Sequence, residues 1–184
     1  MTIDNDNVSQ AAQPKAGRPI PTGRYRLHPE LTTVAFSAKK LGVFTIRGTM
    51  QLASGAFTVA SPIEHSTLHA VLAADTFTTP MRQRDEHVKS ATLLDVANHP
   101  TIEFDSTGVS VGPDGIFAVR GLLSVHGHVE PSVLTVTSSS LEAGLVGFRA
   151  TTALDRRVFG VTARPWVASA RIDVQIEAVG SPVR

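Results

Sequence analysis

The sequence predicts an all-β fold, an antiparallel barrel of about eight strands with one short helix beside it. Three observations carry that expectation. Apolar and polar side chains alternate with a two-residue period from Arg24 onward, Gly- and Pro-containing turns recur at strand-length spacing, and a single segment has helical end signals. The alternation describes strands that bury one face at a time. A long meander of such strands exposes two unpaired edges, and closure into a barrel removes them.

Residues 1–22 carry Asp4 and Asp6 and then Gln, Ala, Pro, Lys and Arg without an apolar run. They are expected to form a disordered tail, too polar to offset the entropy of ordering. They also lack the basic start and apolar stretch of a secretory signal, and no apolar segment reaches the roughly eighteen residues a membrane-spanning helix needs, so the expected location is cytoplasmic. The barrel domain is expected over 23–180, with a short tail at 181–184. Its early strand signal is Val34 and Phe36 opposed to Ala35 and Ser37. The pattern returns over Leu68 to Leu72, at Ile102 and Phe104 against Glu103 and Asp105, and through Phe117, Val119, Gly121, Leu123 and Val125. It is cleanest at Ile172, Val174, Ile176 and Ala178, which alternate with Arg171, Asp173, Gln175 and Glu177. Turn residues separate these runs at Gly55, Ser61-Pro62, Gly112-Pro113-Asp114-Gly115, Gly127 with Pro131, and Gly144. The exception is Thr79-Pro80 followed by Met81 to Ala91, where a capping residue, proline at the first helical position and early acids predict the helix.

Composition narrows the function classes. A chain of 184 residues, 42% hydrophobic, 18% charged and with a net charge of +1, has enough material for one domain with its own core. The absence of cysteine excludes disulfides, thiol nucleophiles and thiolate metal sites. Near-neutral charge, one Trp and one Tyr argue against a nucleic-acid partner. There is no Gly-x-Ser-x-Gly elbow, and Gly108, Gly112 and Gly115 lie in a turn-rich stretch instead of a phosphate loop. Among the seven histidines, His126 and His128 would share a strand face and His65 and His69 could approach one another. Neither pair brings an obvious third ligand, so no metal and no cofactor is expected.

The most specific stretch is Arg84-Asp85-Glu86-His87-Val88-Lys89-Ser90, then Leu94-Asp95, then His99-Pro100-Thr101-Ile102-Glu103-Phe104-Asp105-Ser106-Thr107. It resembles the YceI-like family, whose pattern is an Arg-Asp-x-His-Leu helix, a short Phe-Leu/Phe-Asp link, an aromatic-Pro turn and a strand ending Phe-x-Ser-Thr. Val119-x-Gly121-x-Leu123-x-Val125-x-Gly127 with Pro131 resembles the family's glycine-bounded hairpin, and Arg156-Arg157-Val158-Phe159-Gly160 its Arg-x-x-Phe-Gly segment. The matches run in family order over about Tyr25 to Val179. Departures are equally plain. At the opening only Val34-x-Phe36 is kept, Val129-Glu130 replaces the usual Thr-Lys/Arg, Val158 replaces an acid, and His99 stands where Tyr is common.

The resemblance implies a lipocalin-like barrel that binds, transports or stores a polyisoprenoid or other long-chain lipid in an apolar pore without chemistry. It also implies a homodimer as one expected assembly. A barrel of about eight strands is wide enough to be filled by side chains or to hold one small ligand. Phe36, Phe44, Ile46, Phe77, Phe104, Phe148 and Phe159 are therefore core residues in one reading and pore lining in the other. Arg84, His87 and Arg156 lie in the matched motifs and are candidates for an anionic head group, since Arg forks onto phosphate oxygens. Their structural reading is an Arg84–Asp85 ion pair anchoring the helix, and Arg156 paired with Asp85, Asp95 or Asp155. Two further functions stay open: an enzyme or metal protein on the same barrel using His126, His128 or His87, and a filled barrel serving as an interaction scaffold.

Overall fold

The computed structural model describes residues 20–162 and 168–183. The strands are β1 (Gly23–Leu27), β2 (Thr33–Lys40), β3 (Phe44–Val59), β4 (Thr67–Thr78), β5 (Thr101–Val111), β6 (Phe117–Val125), β7 (His128–Glu142), β8 (Leu145–Asp155) and β9 (Arg171–Pro182). Helix α1 (Arg82–Lys89) lies between β4 and β5. The sheet order is β1-β3-β2-β9-β8-β7-β6-β5-β4, and antiparallel pairing of β3 with β4 closes it. Nine strands make eight staves because β1 and β2 share one position. β3 pairs with β2 from Phe44 to Met50 and with β1 from Ala56 to Val59, while β9 pairs with β2 from Ile172 to Glu177 and with β1 from Gly180 to Pro182. Closure leaves no long free edge of unpaired backbone groups for so long a meander to expose.

Strand ends differ from expectation where pairing extends further than alternation. β9 runs through Ser181 and Pro182, opposite Arg26 and Tyr25, and the Val183 amide donates to the Arg24 carbonyl at 2.9 Å. Of the tail expected at 181–184, Ser181 and Pro182 are strand and Val183 is held to β1, by backbone bonds that need no apolar side chain, while Arg184 lies outside the described residues. At the other end Ile20 packs against the Tyr25, Leu27 and Phe57 cluster, and the Tyr25 hydroxyl donates to the Pro21 carbonyl at 2.7 Å. The ordered domain thus starts before 23; the rest of the expected tail, 1–19, lies outside the described residues.

The turns follow local backbone chemistry. Both residues of the β6–β7 turn, His126 and Gly127, have positive φ (51° and 74°), as do Ala143 and Gly144 of the β7–β8 turn (50° and 81°). Two positive φ values in a two-residue connection match the twist of the flanking strands. Inside, aromatic rings lie over strand glycines: Phe36 covers Gly48, and Phe104 Cζ would stand 2.5 Å from a Cβ at Gly121. Phe36 also stacks on Phe77, with ring centroids 4.7 Å apart.

Helix α1 is shorter than the expected Met81 to Ala91 and starts differently. Its cap position is Met81, which makes no side-chain cap bond, and Pro80 precedes the helix. The work expected of a cap is done by Asp85 and Thr79. The Asp85 carboxylate accepts from the Thr79 amide (2.9 Å), the Thr79 hydroxyl (2.7 Å) and the Thr78 hydroxyl (3.3 Å), tying the first turn to the end of β4.

Candidate functional site

The inward faces of the staves surround a cavity of about 890 Å³. The alternating runs supply its wall: Val34, Phe36 and Ala38 from β2, Leu68, Ala70 and Leu72 from β4, Ile102 and Phe104 from β5, and Ile172, Val174, Ile176 and Ala178 from β9. The sequence therefore does build a pore instead of filling the barrel, because the rings stack against the wall and over its glycines and leave the axis open. Of the residues singled out from the sequence, Phe36, Ile46, Phe77, Phe104, Phe148, Phe159, Arg84, His87 and Arg156 all line this space.

Phe44 does not line it. It is 65% exposed, next to exposed Leu41 and Val43. It shares strand parity with Ile46, so alternation places both inside. The structure separates them because the β2–β3 hairpin overhangs the barrel: β2 pairs with β9 only as far as Ala38, and β3 pairs with β4 only from Thr49 onward. A residue on the overhang has no opposite wall. Phe57, Leu27 and Leu52 are wall residues the sequence reading missed. A register shift between Leu52 and Ser54 flips the parity of β3, so Met50 and Leu52 face inward on even positions and Phe57 on an odd one. The alternation of Tyr25 with Leu27 in β1, and of Met50 with Leu52 in β3, was the signal available for the other two.

One end of the cavity is walled by Phe77, Leu93, Leu94, Val125, Phe159 and Val161, with Val88 of α1 packed against them. Three cationic candidates gather on the elements around this end. Arg84 is half-buried and His87 exposed on α1. Arg84 is not paired with Asp85: among the described residues its guanidinium makes long contacts to the Thr79 hydroxyl (3.5 Å) and Met81 Sδ (3.7 Å). Burial pushes the Asp85 carboxyl upward, yet the combined bonds from Thr79 and Thr78 and the charge of Lys89 outweigh it and leave its pKa below the ordinary value.

Arg156 also departs from the expected acid pairing. It donates to the carbonyls of Val161 (2.7 Å, Nη1), Ser169 (3.0 Å, Nε) and Ala168 (3.1 Å, Nη2), clamping the 3₁₀ turn Arg156–Phe159 to the connection before β9. Burial lowers its pKa, with Asp155 opposing that shift and Arg157 adding to it. Asp155 is engaged by its other neighbour: it caps the turn by accepting the Arg157 amide at 3.0 Å, and the Arg157 side-chain bond, with that amide, holds its pKa down to about 2.

The histidines fall out differently from expectation. His69 bonds Asp105 across β4 and β5 (Nδ1 to Oδ1, 2.7 Å). His126 sits in the β6–β7 turn beside the strand residue His128, with its ring stacked 5.9 Å from that of His128 and lying 5.0 Å from that of His99. Asp95, His99 and His126 each offer a ligand atom, all within 4.8 Å of one another, and this half-buried trio is the metal-capable group among the described residues.

Comparison with known proteins agrees with the architecture. The chain is 30% identical over 153 residues to a UPF0312 protein of Azotobacter vinelandii, covering 80% of each, and 27% identical over 157 residues to one from Vibrio cholerae, again 80% of each. Its fold is similar to Burkholderia cenocepacia BcnA (TM-score 0.76, 12% identity, 83% of this chain and 98% of that one). It is similar too to a polyisoprenoid binding domain from Saccharophagus degradans implicated in plant cell wall breakdown (TM-score 0.68, 16% identity, 86% and 98%). Residues 25–180 match the YceI-like domain, nearly the whole of the closed barrel, and the chain belongs to that family.

Proposed function

We propose that the protein holds one long-chain isoprenoid or similar amphiphilic lipid in its barrel and carries or stores it without catalysis. The cavity carries this reading. At about 890 Å³ it lies in the size range of small-molecule sites, and the surface it presents to a ligand is predominantly apolar. Each methylene moved from water into such a space contributes about 0.8 kcal/mol, so a long chain needs few polar contacts to be held. The Saccharophagus domain of similar fold, described as polyisoprenoid binding, supports the ligand class.

The head group belongs at the α1 end. Arg84, with its two long contacts, has donors to offer an anion, and His87 stands exposed one turn further on. Arg156 has at least three donors committed to carbonyls and serves as a clamp.

Native mass spectrometry of the protein purified from its own source, followed by denaturing lipid extraction, tests this. The expected result is one prenyl or acyl lipid per chain, lost in Phe104→Arg, which places a charge in the wall, and in Ile176→Trp, which fills the axis. A folded wild-type protein that carries no lipid and gains no mass on incubation with long prenyl lipids would overturn the reading. So would a folded Phe104→Arg protein that keeps stoichiometric lipid.

A further inference from the structure

Asp95 and His126 sit one residue along the chain from Leu94 and Val125, which line the cavity, but themselves stand off its wall. We propose that Asp95, His99 and His126 form a binding site for a divalent transition-metal ion, zinc fitting best, through one carboxylate oxygen and two imidazole nitrogens. A fourth position is left to water or an exogenous ligand.

Two features of the geometry support it. The ligand atoms already converge within 4.8 Å of one another. Tetrahedral zinc with bonds of about 2.0–2.1 Å needs donors about 3.4 Å apart, so side-chain rotation of roughly 1 Å completes the site. Among the described residues, no side chain of the trio is hydrogen-bonded or ion-paired to another of the three, so an ion displaces no existing bond between them.

The surroundings also orient the ligands as metal sites do. His126 Nδ1 faces the Phe159 carbonyl at 3.3 Å. A carbonyl only accepts, so Nδ1 carries the hydrogen and Nε2 keeps its lone pair, the arrangement by which backbone carbonyls commonly fix a metal-binding imidazole. Asn98 Nδ2 donates to Asp95 Oδ2 at 2.8 Å and steers the carboxylate.

The backbone brings the three together at some cost. Asp95 and His126 both have left-handed φ (45° and 51°), and the His99 amide closes a turn onto the Asp95 carbonyl at 2.8 Å. Gly127 lets the His99 ring approach, since a Cβ there would stand 2.9 Å from His99 Cε1. Two nitrogens in three donors favour zinc or a neighbouring transition metal over calcium or magnesium, which take oxygen. The ion would brace two connections at the α1 end of the cavity, the link after α1 and the β6–β7 turn, and His126 would extend the brace to the Phe159 carbonyl.

The test uses the full untagged chain, stripped with chelator and titrated with Zn²⁺ by calorimetry and with Co²⁺ by visible absorption. One saturable ion per chain is expected, with cobalt bands of four-coordinate nitrogen and oxygen ligation and a higher Tm with zinc. Asp95→Asn and His126→Asn keep residue types that tolerate left-handed φ, so both should fold by circular dichroism and bind zinc roughly tenfold or more weakly. His99→Gln, at a position without positive φ, should behave alike and replaces either variant that fails to fold. Absence of saturable binding to the wild type, or unchanged affinity in the folded variants, overturns the proposal. Its failure would leave the lipid reading standing, because none of the three lines the cavity.

Discussion

Asp85 shows how one side chain can hold an element in place. Its carboxylate collects three donors from Thr78 and Thr79 in a buried setting, and charged acceptors of this kind are worth more than neutral ones. Asp85→Asn, which removes the charge and reverses one end of the side chain, should cost about 2 kcal/mol in urea denaturation. The pH dependence has a definite sign. The folded pKa is depressed below 3.8, so the contribution is fully present above that value and is lost as pH falls through the folded pKa. An acid titration followed by far-ultraviolet circular dichroism should show wild type losing stability below pH 3.8 more steeply than Asp85→Asn.

At the scale of elements, the connections decide where the staves end. Ala143 has a φ of 50°, a region that costs a side-chain-bearing residue roughly 1 kcal/mol and suits asparagine. Ala143→Asn should therefore raise stability by up to about 1 kcal/mol, seen as a higher Tm. Arg156 holds the connection before β9 through three carbonyls. Arg156→Met keeps the apolar stem but loses every donor, and should cost at least about 2 kcal/mol in the same denaturation assay. Neither position announces itself by alternation. Ala143 is an ordinary residue in an Ala-Gly pair, and Arg156 looks like a partner for nearby acids until Arg157 takes Asp155.

At the scale of the molecule, closure makes the cavity, and a ligand that binds only the closed barrel stabilises it by mass action. At a free lipid concentration a hundred times Kd, the gain is about 2.7 kcal/mol. For a domain of this size that corresponds to a Tm rise of roughly 5–10 °C on saturation with a long prenyl lipid, measurable by calorimetry of delipidated protein. Absence of any shift with a lipid shown to be bound would mean that the barrel opens as readily full as empty.

The alternating runs by themselves determined which faces of β2, β4, β5, β6 and β9 point inward, and with them most of the cavity wall, because strand parity is a local property of the backbone. Turn glycines and the Arg84 to Thr107 stretch likewise determined the family. What only the tertiary structure decided lies where local parity meets global pairing. Phe44 is outside because its hairpin overruns its neighbours, and Phe57 is inside because a bulge shifts the count. The Asp95, His99 and His126 trio exists because a loop after α1 and a turn between β6 and β7, 27 residues apart from His99 to His126, close on the same end of the barrel. Residues distant in sequence become neighbours only through the register of the closed sheet, and that register is a property of all eight staves together.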